Sequence, residues 1–349
     1  MVPKERGTRR AWAGLDDWRI MPPMGLTAGL GRSSNAVLAR VGGLDWTAIQ
    51  RSTAWVVPAG FVLMTVEVIS KYIETPTWLG FDARLYAAAS GAWLGGSNPW
   101  AVSDVGIYYA APPPTLLAFV PFYWMPPILV SAVWVLGSFV LAALAIRSLR
   151  LPIWWMAFPP IVDGALVGNP DVAVLALLVV AGGRFGAVAP FLKIYAVVPM
   201  IGERQWRQMI TTLGLLAVTA VVLPWGSWFS QLATIAENLA AVSIRQNTSV
   251  YGSPVLMAIA VIALLALGRR RAGWLAVPLL WPSTQIHYMA ISVPGLTPYL
   301  ALAWCFPVPE VRVASTCLFV LYEYVVGKQH PAFGVGKGIL EGRNVSQPG

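Results

Sequence analysis

An all-α, polytopic transmembrane helical bundle is the fold class this sequence predicts, on three observations. Of its 349 residues, 57% are hydrophobic and 11% are charged, against about 25% charged in a typical soluble domain. Mean hydropathy is +0.65, which leaves too little polar surface to cover a globule of this size. Apolar windows of about 20 residues, the length that crosses a hydrocarbon core roughly 30 Å thick, recur between Thr53 and Val326. About eight to ten spans fit that stretch.

The chain divides by composition. Residues 1–52 carry Lys4, Arg6, Arg9, Arg10, Arg19, Arg32 and Arg40 among Gly, Pro and Ser, with no apolar segment before a small-residue cleavage site. This pattern predicts a cytoplasmic, partly disordered basic arm and not a signal peptide. Residues 53–327 form the predicted transmembrane domain, and 328–349 a polar tail. The net charge of +9 comes from basic residues that punctuate apolar runs, as at Arg204, Arg207 and Arg269-Arg270-Arg271. That is the pattern of cytoplasmic loops, so no nucleic-acid partner is expected. Cys305 and Cys317 both sit in apolar runs and read as core or lipid-facing residues. Nothing has metal-ligand spacing, and no metal site is expected.

The first span runs from about Thr53 to Tyr72 with Arg51 on the inner side, so the loop from Glu74 to Pro112 emerges outside. After Pro76-Thr77-Trp78-Leu79-Gly80, Asp82 is placed to cap a helix from Ala83 to Leu94, which Gly95-Gly96-Ser97-Asn98-Pro99 stops. Asp82 and Tyr86 share one face of that helix through their i, i+4 spacing. They read either as functional groups or as an N-cap beside an interfacial tyrosine. Pro126-Pro127 divides the run Thr115–Ala145 and leaves open whether it crosses once or twice. Further breaks at Pro112-Pro113-Pro114, Pro159-Pro160, Pro190, Pro199, Pro224, Pro278 and Pro282 predict an internal cavity, because broken helices at membrane depth need protein or water to satisfy freed backbone groups.

Ionisable residues within apolar runs are functional candidates because each costs about 2.5–3.5 kcal/mol at a helix centre. Here they are Glu67, Asp163, Asp171, Lys193, His287 and Glu323. Lys193 lies in a segment between Arg184 and Glu203 that is too short to cross twice, which predicts a broken hairpin lifting the lysine into the membrane. Two readings of it stand: a binding site for a lipid-linked phosphate, or a lysine that snorkels or pairs with Asp163 or Asp171. His287, one membrane thickness beyond Arg271, falls on the level of the Asp82 loop. It reads as a partner for a carboxylate or as a structural histidine.

Several segments in this order resemble the GT-C glycosyltransferase superfamily, and within it the bacterial polyprenol-phosphate-mannose-dependent mannosyltransferases of glycosyltransferase family 87. They are Phe81-Asp82-Ala83-Arg84-Leu85-Tyr86 followed by Gly95-Gly96-Ser97-Asn98-Pro99-Trp100, then Tyr108-Tyr109-Ala110-Ala111-Pro112-Pro113. After these come Gly168-Asn169-Pro170, where the family usually shows Gly-Gln, the Gly186–Lys193 stretch, and Gln285-Ile286-His287-Tyr288. The resemblance implies an enzyme of the bacterial cell membrane working at its outer face. It would move a sugar, mannose by resemblance, from a polyprenyl phosphate to a lipid or glycan acceptor with inversion, with no cofactor beyond the lipid-linked donor. It implies Asp82 as general base and His287 as its catalytic companion, with Arg84, Tyr86, Asn169, Lys193 and Tyr288 binding substrate. Two other classes stay open beside it: a transporter or flippase, and a non-catalytic membrane scaffold.

Overall fold

The computed structural model describes residues 54–329; the basic arm and the end of the polar tail lie outside them. Helix accounts for 77% of the structure, so the all-α class holds, and the strands Ser103–Asp104 (β1) and Ile107–Tyr108 (β2) form only a minimal hairpin. In chain order the first helices are α1 (Val56–Glu74), α2 (Phe81–Leu94), α3 (Pro114–Tyr123), α4 (Pro127–Ser148), α5 (Pro159–Val167) and α6 (Asp171–Val179). Behind them come α7 (Ala189–Leu192), α8 (Val197–Gly202), α9 (Trp206–Val222), α10 (Trp225–Ser230) and α11 (Leu232–Gln246). The chain closes with α12 (Pro254–Leu267), α13 (Arg269–Leu280), a 3₁₀ helix Ile286–Gly295, α14 (Pro298–Trp304) and α15 (Pro309–Gln329). The last of these carries the helix two residues past the expected domain boundary.

Among the described residues, α1 and α4 are long and apolar enough to cross a membrane, and α5 with α6, bent by 118°, makes a third if counted as one broken span. Hydropathy predicts about eight to ten crossings; the difference is that prolines divide most apolar runs into short helices. At 1.5 Å per residue, α12 with its 14 residues reaches about 21 Å, short of a core roughly 30 Å thick. The run 115–145 is indeed two helices, α3 and α4, parted at Pro126-Pro127. Their outer faces remain apolar: Leu63 on α1, Ile128 on α4 and Leu265 on α12 are each 73% exposed, a surface suited to lipid rather than water. Glu67 belongs to this exposed face of α1, and Glu323 pairs with Arg271 at 2.7 Å. Neither is the buried functional group expected from its apolar neighbours.

Close backbone packing sets the position of α2. Gly80, with φ +66°, takes a left-handed turn ahead of the helix, and its N–H donates to Leu166 O at 2.7 Å. Gly168, with φ +77°, ends α5, and a Cβ there would lie 3.0 Å from Ala83 Cβ and 3.1 Å from Gly80 Cα. Two glycines thus press the start of α2 onto the α5–α6 break. A Cβ on Gly80 would meet Ser131 Cβ at 2.4 Å, so Gly80→Ala is expected to destabilise by about 2–5 kcal/mol from left-handed strain plus overpacking. Gly137, where a Cβ meets nothing within 4 Å, is the control. Gly137→Ala should stabilise the helix by about 0.5–1 kcal/mol, and thermal melts of the two variants in one detergent compare them directly.

Candidate functional site

Asp82 does not cap its helix. Gly80 occupies the cap position without a side-chain bond, and Asp82 stands in the first turn. Its carboxylate instead accepts a hydrogen bond from Asn169 Nδ2 at 2.5 Å. Asn169 Oδ1 accepts from the backbone N–H of Asp171 at 3.1 Å, and this fixes the amide so that its NH₂ faces Asp82. The pairing depends on the α5–α6 break, where α6 starts at Asp171.

Lys193 adopts an extended backbone between α7 and a 3₁₀ turn at Ile194–Ala196, and Thr115 at the start of α3 ties that break down by donating to Phe191 O at 2.8 Å. The expected broken segment is therefore present. The ammonium lies 5.6 Å from the ring centre of Tyr86 and 5.2 Å from that of Tyr288, a cation between two aromatic faces. Among the described residues it makes no ion pair. Of the two candidate partners, Asp163 pairs with His287, while Asp171 accepts the Tyr195 hydroxyl at Oδ1 and acts on the ammonium only through space.

His287 Nδ1 lies 3.1 Å from Asp163 Oδ2, and Tyr72 donates its hydroxyl to Asp163 Oδ1 at 2.9 Å. Glycine at 164 admits this approach, since a Cβ there would sit 3.2 Å from His287 Cβ. By sequence Asp163 is a functional candidate and a possible partner for Lys193, but nothing in the sequence marks it or Tyr72 as the support of His287.

These groups converge on one cavity of about 380 Å³, within the range of about 300–1,000 Å³ that small-molecule sites occupy. Asp82, Tyr86, Asn169, Lys193, His287 and Tyr288 all line it. Arg84 does not. Its guanidinium donates to Leu79 O, to Thr77 O at 2.5 Å and to Ser131 Oγ at 2.8 Å, stapling the turn before α2 to α4. The expected substrate contact at Arg84 is thus a structural one, because Asp82 and Arg84 are two residues apart and point different ways on a helix. Trp228, Leu232, Ile235 and Leu239 of α10 and α11 add an apolar part to the lining.

No family model matches this chain, and neither does any curated protein or solved structure.

The electrostatics follow from enclosure. Asp82 keeps part of its surface open to the cavity, yet protein surrounds it, and burial pushes its carboxyl above the usual carboxylate range. Positive charge at His287 and Lys193 and the Asn169 N–H pull the other way without cancelling that effect. Among the described residues no three His, Cys, Asp or Glu side chains group to hold a metal ion. The arrangement can offer a carboxylate base, a cation and hydrogen-bonding groups in one cavity whose lining also includes an apolar surface able to accept hydrocarbon.

Proposed function

We propose that this protein is a membrane glycosyltransferase that moves a sugar, mannose by resemblance, from a polyprenyl phosphate to a hydroxyl of a lipid or glycan acceptor. The observation that carries the reading is the shared cavity of Asp82, oriented by Asn169, and Lys193, an ammonium with no ion pair among the described residues. Asp82 and Asp171 act on this ammonium through space, but neither carboxylate is in contact with it, which leaves its face to the cavity open to an anion from outside the protein. The apolar wall of α10 and α11 suits the first prenyl units behind a phosphate.

In the proposed step Asp82 takes the proton of the acceptor hydroxyl. The oxygen forms a bond to the anomeric carbon, and the bond from that carbon to the phosphate oxygen breaks on the opposite face with inversion. The electron pair leaves with the phosphate, whose growing charge Lys193 meets. The raised proton affinity of Asp82 makes it a stronger base than a solvated carboxylate. Tyr86 and Tyr288 hold the lysine and border the sugar. On this reading the short helices complete a multi-pass GT-C-like bundle of about eight to ten crossings in the bacterial cell membrane, with the cavity at the outer face.

The test is incubation of purified protein in lipid with radiolabelled polyprenyl-phosphate-mannose and a membrane lipid extract. Label moving to an acceptor supports the proposal; label that stays on the donor, with any acceptor supplied, refutes it. The strongly bent α5–α6 pair favours a second reading, a flippase, which predicts label crossing sealed vesicles with its chemistry unchanged.

A pH profile gives a further check. Asn169→Ala removes a donor that favours the ionised form of Asp82, so the proton affinity of Asp82 rises further. More alkaline medium is then needed to ionise it, and the acid limb of the transfer rate moves to higher pH. An unmoved limb would mean that Asp82 is not the titrating base.

A further inference from the structure

His287 Nε2 is buried and, among the described residues, has no hydrogen-bond partner, although the residue lines the cavity. The other ring nitrogen is firmly held. An ionised carboxylate only accepts hydrogen bonds, so with Tyr72 donating to Asp163 Oδ1 at 2.9 Å and Nδ1 standing 3.1 Å from Oδ2, Nδ1 must carry a proton. We infer that Tyr72 and Asp163 are positioning residues that keep the Nδ1 proton of His287 in place, so that Nε2 is the one ring atom that takes up and releases a proton on the cavity side.

The charged and titratable surroundings are Tyr72 on α1, Asp82 on α2, Asp163 on α5, Asp171 on α6, Lys193 beyond α7 and Tyr288 next in sequence. Of these, among the described residues, Asp163 alone hydrogen-bonds an imidazole nitrogen. A ring anchored at Nδ1 leaves Nε2 as the nitrogen with no protein partner among the described residues. The use of Nε2 rests on the glycosyl-transfer reading: its N–H is a group able to give a proton to the departing phosphate oxygen, breaking N–H, forming O–H and leaving neutral imidazole.

Histidine-selective ¹⁵N labelling of the full chain in lipid nanodiscs, in a His330→Gln background so that His287 is the single histidine, reads the ring directly across pH. The expected result is an Nδ1 that stays protonated throughout while Nε2 titrates. In Asp163→Asn, Tyr72 keeps the amide oxygen, which turns the NH₂ toward Nδ1. Nδ1 must then accept, and the neutral ring changes to the Nε2–H form. Adding Tyr72→Phe frees the amide to rotate, and the wild-type form returns.

A wild-type ring that is Nε2–H when neutral, or that stays a cation at every pH where the protein is folded, overturns the inference. So does an Asp163→Asn ring identical to wild type. A double variant that keeps the exchanged form overturns the part given to Tyr72. Should Asp163→Asn fail to fold, the wild-type titration still decides. Turnover plays no part in the readout, so absence of sugar transfer leaves this result standing, and the reverse holds too.

Discussion

Asp82→Asn is expected to lower the rate of sugar transfer by about 10²–10⁴-fold, the range a positioned general base contributes, while the protein keeps its fold. Asparagine has the same shape as aspartate, and its oxygen can still accept from Asn169, so the contact between α2 and the α5–α6 break survives. What it cannot do is take a proton from the attacking hydroxyl. The loss should therefore fall on kcat with little change in KM, as for an interaction made only in the transition state. Asp82→Glu sharpens the test, since the extra methylene displaces the carboxylate from Asn169, and a misplacement of about 1 Å can cost about 10²-fold. Radiolabelled transfer by wild type and both variants, with melting curves to show equal folding, makes the measurement. Asp82→Asn that transfers sugar at the wild-type rate removes the general base from the mechanism.

The parts of this site that the sequence makes legible are those set by local rules. Asp82 and Tyr86 line the same cavity because an α-helix brings i and i+4 to one face. Lys193 leaves helical geometry between two short helices that carry prolines in their first turns, Pro190 in α7 and Pro199 in α8. The breaks at Pro126-Pro127 and Gly168-Asn169-Pro170 are equally local. The supports of the site are a different matter. Asp163 and His287 are 124 positions apart, and no periodicity links them. Arg84 shares a helix turn with Asp82, but its direction depends on carbonyls of the preceding turn and on Ser131 of α4. Hydropathy overcounts uninterrupted spans because it sums apolar residues without regard to where proline ends a helix. Glu67 shows the same blindness from the other side, since apolar neighbours in sequence do not say whether a position faces protein or the outside.

Lys193→Met should abolish most activity for a different reason. In the proposed transfer the phosphate already carries charge in the bound donor and gains more as the bond to the sugar breaks, so Lys193 acts in both states. KM should rise and kcat fall, the latter by about 10²–10³-fold, as for loss of one preorganised electrostatic group. Methionine fills the space between Tyr86 and Tyr288 with a flexible apolar chain and favourable contact to the rings. Because the ammonium makes no ion pair among the described residues, its removal costs only the through-space attraction of Asp82 and Asp171, and the melting temperature should fall less than on breaking a buried ion pair, which costs about 3–5 kcal/mol. A structural lysine behaves in the opposite way: its loss lowers stability and spares donor affinity. Lys193→Arg separates charge from shape, because the planar guanidinium is broader than an ammonium held between two tyrosines. It should bind donor better than Lys193→Met and still transfer more slowly than wild type. Wild-type donor affinity in Lys193→Met, measured by equilibrium binding of the polyprenyl phosphate sugar, would take the phosphate away from this lysine.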